Sequence, residues 1–145
     1  MERVRQLLAQ KGSEIWSIGP DRMVYRALEL MNEKGIGALL VMDGTQVVGI
    51  ITERDYARKI ALQGKSSKET SVREVMSSDL YAVSPDTSIE ECMALMTERR
   101  IRHLPVFEKE KMVGLVSIGD VLKAIIAQQG TVIKNLQDYI MGKYI

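Results

Sequence analysis

A stretch of seven residues occurs twice in this chain, 65 positions apart. The copies are Gly49-Ile50-Ile51-Thr52-Glu53-Arg54-Asp55 and Gly114-Leu115-Val116-Ser117-Ile118-Gly119-Asp120. Both read glycine, two branched apolar residues, a small hydroxyl residue, two variable positions, aspartate. Residues 14–60 lie over 79–125 at the same offset without a gap. The matches include Pro20 with Pro85, Asp21 with Asp86, Leu30 with Leu95, Met31 with Met96, Ile36 with Ile101, Leu39 with Leu104 and Val41 with Val106. Self-similarity in a single register marks a duplicated supersecondary unit. Three strands and two helices per half are marginal alone, so the halves are expected to pack about a pseudo-twofold axis with paired clefts where they meet.

Apolar spacing sets the order of elements. Val4, Leu7 and Leu8 stand at i, i+3, i+4, a short amphipathic helix ended by Gly12. Ile15 to Ile18 reads as extended, and Gly19-Pro20-Asp21 as a turn whose Asp caps a helix carrying Val24, Ala27, Leu28 and Met31. Ala38 to Met42 is a continuous apolar run that suits a strand covered on both faces. Asp43-Gly44 signals a hairpin to the return strand Val47–Ile51. Thr52 opens a helix to about Leu62 with Tyr56, Ala57 and Ile60 on its apolar side. In the second half, Leu80 to Val83 is extended, Ser84-Pro85-Asp86-Thr87 caps a helix bearing Ile89, Cys92, Met93 and Met96, and strands at 103–107 and 112–116 precede a helix from about Ile118 to Gln128. Ser71 and Glu74 have capping-box spacing for a single turn. Pro105 marks a strand edge. The divisions expected are an N-terminal helix (1–13), a first repeat (14–64), a linker with a short turn (65–78), a second repeat (79–128) and a C-terminal helix (129–145) with Val132, Ile133, Leu136 and Ile140 on one side.

Composition narrows the function. A net charge of +1 gives no long-range field toward nucleic acid or an anionic membrane. With one Trp and one Phe, the chain has no aromatic platform interleaved with Lys and Arg for stacking bases. No apolar run nears the roughly 20 residues of a membrane span, and the charged N-terminus lacks the apolar core of a secretory signal. The single Cys92 excludes an internal disulfide and suits a reducing compartment, so the cytoplasm is expected. One His and one Cys make no zinc site. Gly64-Lys65-Ser66 has neither the preceding glycine nor the strand of a phosphate-binding loop.

The repeated motif carries the chemistry that remains. An ionised carboxylate accepts two hydrogen bonds, so one Asp can hold both hydroxyls of a ribose. A helix start offers free N–H groups to phosphate, a Thr or Ser hydroxyl adds a donor, and glycine on the strand admits a ring close to the backbone. Thr52, Asp55, Ser117 and Asp120 are therefore candidate ligand contacts, with Ile18, Val83 and Ile118 as apolar brackets for an adenine. The same spacing also makes a capping box that serves only the backbone. Arg54 faces either phosphate or solvent, and Gly119 replaces it in the second copy. Arg102 and His103 stand at a strand start, as phosphate contacts or as a solvated edge and a structural histidine.

The duplicated Gly-h-h-Thr/Ser-x-x-Asp, with Ser84-Pro85-Asp86 and Arg102-His103-Leu104-Pro105-Val106, resembles the cystathionine β-synthase (CBS) domain. The tandem resembles a CBS pair, or Bateman module, over about residues 14–126. The first repeat departs where it has Gly37-Ala38-Leu39-Leu40-Val41, and Ile51 to Lys59 is similar to small stand-alone members without an enzyme or channel domain. The resemblance implies an α+β fold of two strand-helix-strand-strand-helix repeats. It implies a regulatory, non-enzymatic module that senses AMP, ADP, ATP, S-adenosylmethionine or NAD(H) in clefts between the repeats and modulates a partner. No other cofactor, metal or catalytic residue is implied. Thr52 and Asp55 would serve one cleft, and Ser117 and Asp120 the other. Arg102 and His103 would reach phosphate, assigned here to the cleft of Thr52 and Asp55. The alternative is a ligand-free structural or dimerisation scaffold. CBS tandems typically pair into a disc, so a homodimer is expected, with Tyr56/Ile60 and Leu122/Ile126 as its seam.

Overall fold

The computed structural model describes residues 2–12, 14–130 and 134. In chain order the elements are α1 (Val4–Lys11), β1 (Ser17–Ile18), α2 (Val24–Lys34), β2 (Ala38–Asp43), β3 (Gln46–Thr52), α3 (Glu53–Tyr56), a π-helical turn (Ala57–Ala61), α4 (Val72–Val75), α5 (Ile89–Arg99), β4 (His103–Glu108), β5 (Lys111–Ser117) and α6 (Ile118–Gln128). They form two units: residues 14–80, and residues 2–12 together with 81–130. The fold is α+β, as expected. The C-terminal helix expected over 129–145, with Val132, Ile133, Leu136 and Ile140, lies outside the described residues apart from 129, 130 and 134. Among the described residues no helix is long and apolar enough to cross a membrane.

In the unit of residues 14–80, β1 runs parallel to β2 and β2 antiparallel to β3. Ala38, Leu39, Leu40 and Val41 are all buried, so the unbroken apolar run is a strand shielded on both faces. Leu39, Val41 and Ile51 form a core with Val24, Ala27 and Met31 of α2, the three-to-four-residue stripe of an amphipathic helix. Ile60, Val72 and Val75 belong to the same core. The stretch 65–78, read as a linker, thus folds onto this unit through α4. The helix after Thr52 departs from expectation. Only Glu53–Tyr56 is α-helical, and the next turn is wide, with Leu62 N–H donating to the Ala57 carbonyl and Lys65 N–H to that of Ile60, both at 3.0 Å. The extra residue in the turn shifts its phase, so Ile60 is buried while Ala57 faces outward.

The second unit repeats the core. Ile89, Cys92 and Met96 of α5 meet Leu104, Val106 and Val116, each 65 positions beyond its counterpart in the first. Its sheet has two strands, β4 and β5. The extended stretch expected at 80–83 is reduced to one parallel bridge, Val83 to Val106. Val83 N–H donates to the Pro105 carbonyl at 3.0 Å, and Phe107 N–H to the Val83 carbonyl at 2.9 Å. Pro105 has no N–H to return, consistent with its expected place at an edge.

The duplication extends further than the sequence showed. Val4 and Leu7 of α1 complete the second core as Val72 and Val75 of α4 complete the first. Each short helix also exchanges first-turn N–H groups with the segment it meets. Val24 N–H donates to Thr70 O and Val72 N–H to Arg22 O in one unit, Val4 N–H to Thr87 O and Ile89 N–H to Glu2 O in the other, all at 2.8–3.1 Å. These backbone bonds satisfy helix ends that otherwise need side-chain caps. Asp21 and Asp86 are therefore not the expected caps. Asp21 pairs with Arg73 at 3.2 Å and Asp86 with Arg5 at 3.0 Å. Met23 and Ser71 are N-caps without a side-chain bond, and the cap of α5 is Ser88, whose Oγ accepts from Glu91 N–H at 3.1 Å.

Candidate functional site

Each return strand runs directly into a helix through its hydroxyl residue. Thr52 is the N-cap of α3 and Ser117 that of α6, with extended φ of −126° and −98°. Asp55 N–H donates to Thr52 Oγ1 at 3.1 Å, while Thr52 N–H and Oγ1 donate back to Asp55 Oδ2 at 3.0 and 3.1 Å. In the second copy Asp120 N–H donates to Ser117 Oγ at 3.1 Å and Ser117 N–H to Asp120 Oδ2 at 2.9 Å. The capping alternative is thus real in both copies, and it leaves half of each carboxylate. Asp55 Oδ1 meets Lys59 Nζ at 3.3 Å. Asp120 Oδ1 has no hydrogen-bond partner among the described residues, and Asp120 Oδ2 also accepts from Lys11 Nζ at 2.6 Å. Capping and diol binding are compatible: the cap fixes the carboxylate by one oxygen and presents the other.

Charge around Asp120 is strongly organised. Burial pushes its carboxyl up, but the hydrogen bonds from Lys11 and from the Ser117 backbone outweigh burial and hold it below the usual range. His103 stands opposite Ser117 across β4 and β5, and the Arg102 carbonyl accepts from Ile118 N–H at 2.9 Å. Burial lowers the His103 pKa below its ordinary value, Asp120 opposes that, and Lys11 and Arg102 add to it. Within their own unit Arg102 and His103 thus neighbour Ser117 and the start of α6. Beside Thr52 the equivalent places hold Gly37 and Ala38.

Other candidates are placed differently from expectation. Ile18 is 7% exposed and packs into the first core. Val83 and Ile118 are half-buried against the second core. Arg54 is exposed. The glycines do not leave room for a ring. A Cβ at Gly49 would lie 2.7 Å from Met76 Sδ and 2.9 Å from the Ser77 carbonyl oxygen, and one at Gly114 would lie 2.7 Å from Leu8 Cδ2. They let the short helices seat on the strands. Lys11 and Lys59, which meet the two aspartates, were missed. The i,i+4 spacing of Asp55 and Lys59 was a usable signal, whereas nothing local ties Lys11 to Asp120.

Cys92 is fully buried and burial pushes its thiol up to about 11, so it is no nucleophile at neutral pH. Among the described residues no group of three or more His, Cys, Asp or Glu is placed to hold a metal ion.

Comparison with known proteins agrees with the duplicated architecture. The family model for the CBS domain matches residues 5–62 and 72–127. The CBS domain-containing protein CBSX3, mitochondrial, of Arabidopsis thaliana is 44% identical over 92% of this chain, which spans 66% of that protein's length. A solved CBS-domain protein of Burkholderia ambifaria is 52% identical, with a TM-score of 0.85 over 88% of this chain and 96% of its own. The hexameric CBS-CP12 protein of bloom-forming cyanobacteria is 27% identical, with a TM-score of 0.78 over 89% of this chain and 75% of its own. The chain belongs to the CBS-domain family and is a tandem CBS pair, the kind of module that binds adenosyl ligands to regulate rather than to catalyse.

Proposed function

We propose that the chain senses an adenosyl ligand (AMP, ADP, ATP, S-adenosylmethionine or NAD(H)) through Asp55 and Asp120, and passes the binding state to a partner protein. The observation that supports this reading is the twice-built carboxylate, fixed by a capping box through one oxygen, with the second oxygen beside Lys59 in Asp55 and without a partner among the described residues in Asp120. Thr52 and Ser117 orient the carboxylates, and Val83 and Ile118 offer apolar surface. Regulation follows if the ligand binds one conformation better than another, the equilibrium moving by that difference in affinity. The buried, protonated Cys92 fits a reducing compartment, and the cytoplasm is the location proposed.

Thermal melting with and without millimolar ligand tests the reading. A ligand at a hundred times its Kd stabilises by about 2.7 kcal/mol, and a rise in Tm is expected with at least one of the five. Asp55→Asn and Asp120→Asn keep an oxygen that accepts the capping bond and replace the other by a donor. Each is expected to lower the ligand-induced rise, measured against that variant's own ligand-free Tm. The complete capping boxes favour a second reading, a ligand-free scaffold. No rise with any ligand would support it, and a rise indifferent to both variants would move the site elsewhere.

A further inference from the structure

Accepting the adenosyl reading above, we propose that Lys59 and Lys11 are internal occupants of the two aspartates, that a ligand's diol has to displace them, and that each displacement is felt by the short helix of its unit, α4 or α1. In the unit of residues 14–80, Thr52 N–H and Oγ1 hold Asp55 Oδ2, and Lys59 Nζ stands on the remaining oxygen at 3.3 Å. Both oxygens are thus taken, on a side chain only 12% exposed. In the other unit Asp120 Oδ2 accepts from Ser117 N–H and from Lys11 Nζ, the latter at 2.6 Å. One hydroxyl of a diol finds Asp120 Oδ1, and the second meets the ammonium. Hydroxyl and ammonium are both donors and compete for the same lone pairs, and the ammonium is the stronger of the two because it is charged.

Each lysine also ties its aspartate to a short helix. Lys59 Nζ donates to the carbonyl of Val75, the last residue of α4, at 2.9 Å. Lys11 is itself the last residue of α1, and its ammonium also donates to the Leu115 carbonyl on β5 at 2.9 Å. Carboxylate, ammonium and short helix therefore meet in both units, through lysines that are not equivalent. Lys59 comes from the turn after Asp55, and its counterpart 65 positions on is the core residue Ala124. Lys11 comes from the short helix. A link made once from each side is not a copy left by the duplication. When the carboxylate turns to a diol, the ammonium keeps a carbonyl and loses its charged partner. Ion pairs of this exposure contribute little to stability, while Val4, Leu7, Val72 and Val75 keep both helices seated in their cores. The response is therefore a loosening of the helix end, not release of the helix.

Isothermal titration of the full chain with adenosine, which has the diol and no charge, and with dideoxyadenosine, which lacks the diol, tests this. Lys11→Met and Lys59→Met keep an apolar stem and remove the ammonium. Each is expected to bind adenosine about three- to fivefold more tightly at one site, with no gain for dideoxyadenosine. Lys11→Arg and Lys59→Arg should stay at the wild-type affinity. Amide hydrogen exchange gives the second readout. Saturating adenosine should speed exchange in the last turn of α1 and at the end of α4 about as much as the matching Met variant does without ligand, and should add nothing in that variant. Unchanged or weaker adenosine binding in a Met variant would overturn the displacement at its aspartate. Exchange that adenosine leaves unchanged in the wild type would overturn the tie to the short helices. Either result leaves the adenosyl reading standing, which falls only if none of its five ligands raises the Tm.

Discussion

Arg100 holds φ 55° and ψ 42° at the end of α5, the left-handed conformation that Gly35 holds at the end of α2. A side chain there costs roughly 1–2 kcal/mol, partly offset by the greater freedom glycine has when unfolded. Arg100→Gly is expected to stabilise the chain by up to about 1 kcal/mol, read as a higher urea midpoint at unchanged m-value. Gly49 and Gly114 behave in the opposite sense. At Gly49 an added Cβ meets the Ser77 carbonyl at 2.9 Å, and backbone does not step aside; at Gly114 it meets only the end of Leu8. Gly49→Ala should therefore cost about 1–3 kcal/mol and Gly114→Ala clearly less, compared in one urea series. Equal costs would mean that strand geometry, not the seat of the short helix, decides both.

At the scale of elements, the helix starts carry most of the specificity. The capped Asp120 makes stability depend on pH with a definite sign. Its folded pKa lies below the unfolded value of about 3.9, so its contribution is complete above that value and is lost as pH falls through the folded one. The wild type should lose more stability than Asp120→Asn between about pH 5 and pH 2, measured by urea unfolding at stepped pH; parallel curves would show that Lys11 and Ser117 do not favour the charged form. The body of each repeat was legible because it keeps one offset from 14 to 60 against 79 to 125. The equivalence of the two short leading helices escaped because Val4, Leu7 and Leu8 match Val72, Val75 and Met76 at an offset of 68, a register change within the loop that follows. Asp21 and Asp86 were misread for a related reason: capping pattern is local, and the true partners of α2 and α5 are carbonyls that only the folded chain brings near. Asp55 and Asp120 were legible because motif and cap lie within four residues. Lys11 was not, since 109 residues separate it from Asp120.

For the whole molecule the open question is what covers α6. Leu122 and Ile126 stand four apart on that helix, 45% and 52% exposed. The other face expected at a seam is largely unavailable: Ile60 is 1% exposed and Tyr56 half-buried, because the π-turn carries Ile60 into the core. An aliphatic side chain gains about 1.5–3 kcal/mol on full burial, and a second copy would bury two such residues from each chain. The cyanobacterial neighbour is a hexamer, so self-association has precedent in this fold, and a homodimer through α6 is the assembly proposed here. Light scattering at micromolar concentration is expected to give twice the chain mass. Leu122→Glu with Ile126→Glu should give a monomer whose far-ultraviolet circular dichroism is unchanged, since both positions lie outside the core. A wild type that scatters as one chain would refute the dimer. A dimer that survives the double substitution would keep the assembly and move its seam away from α6.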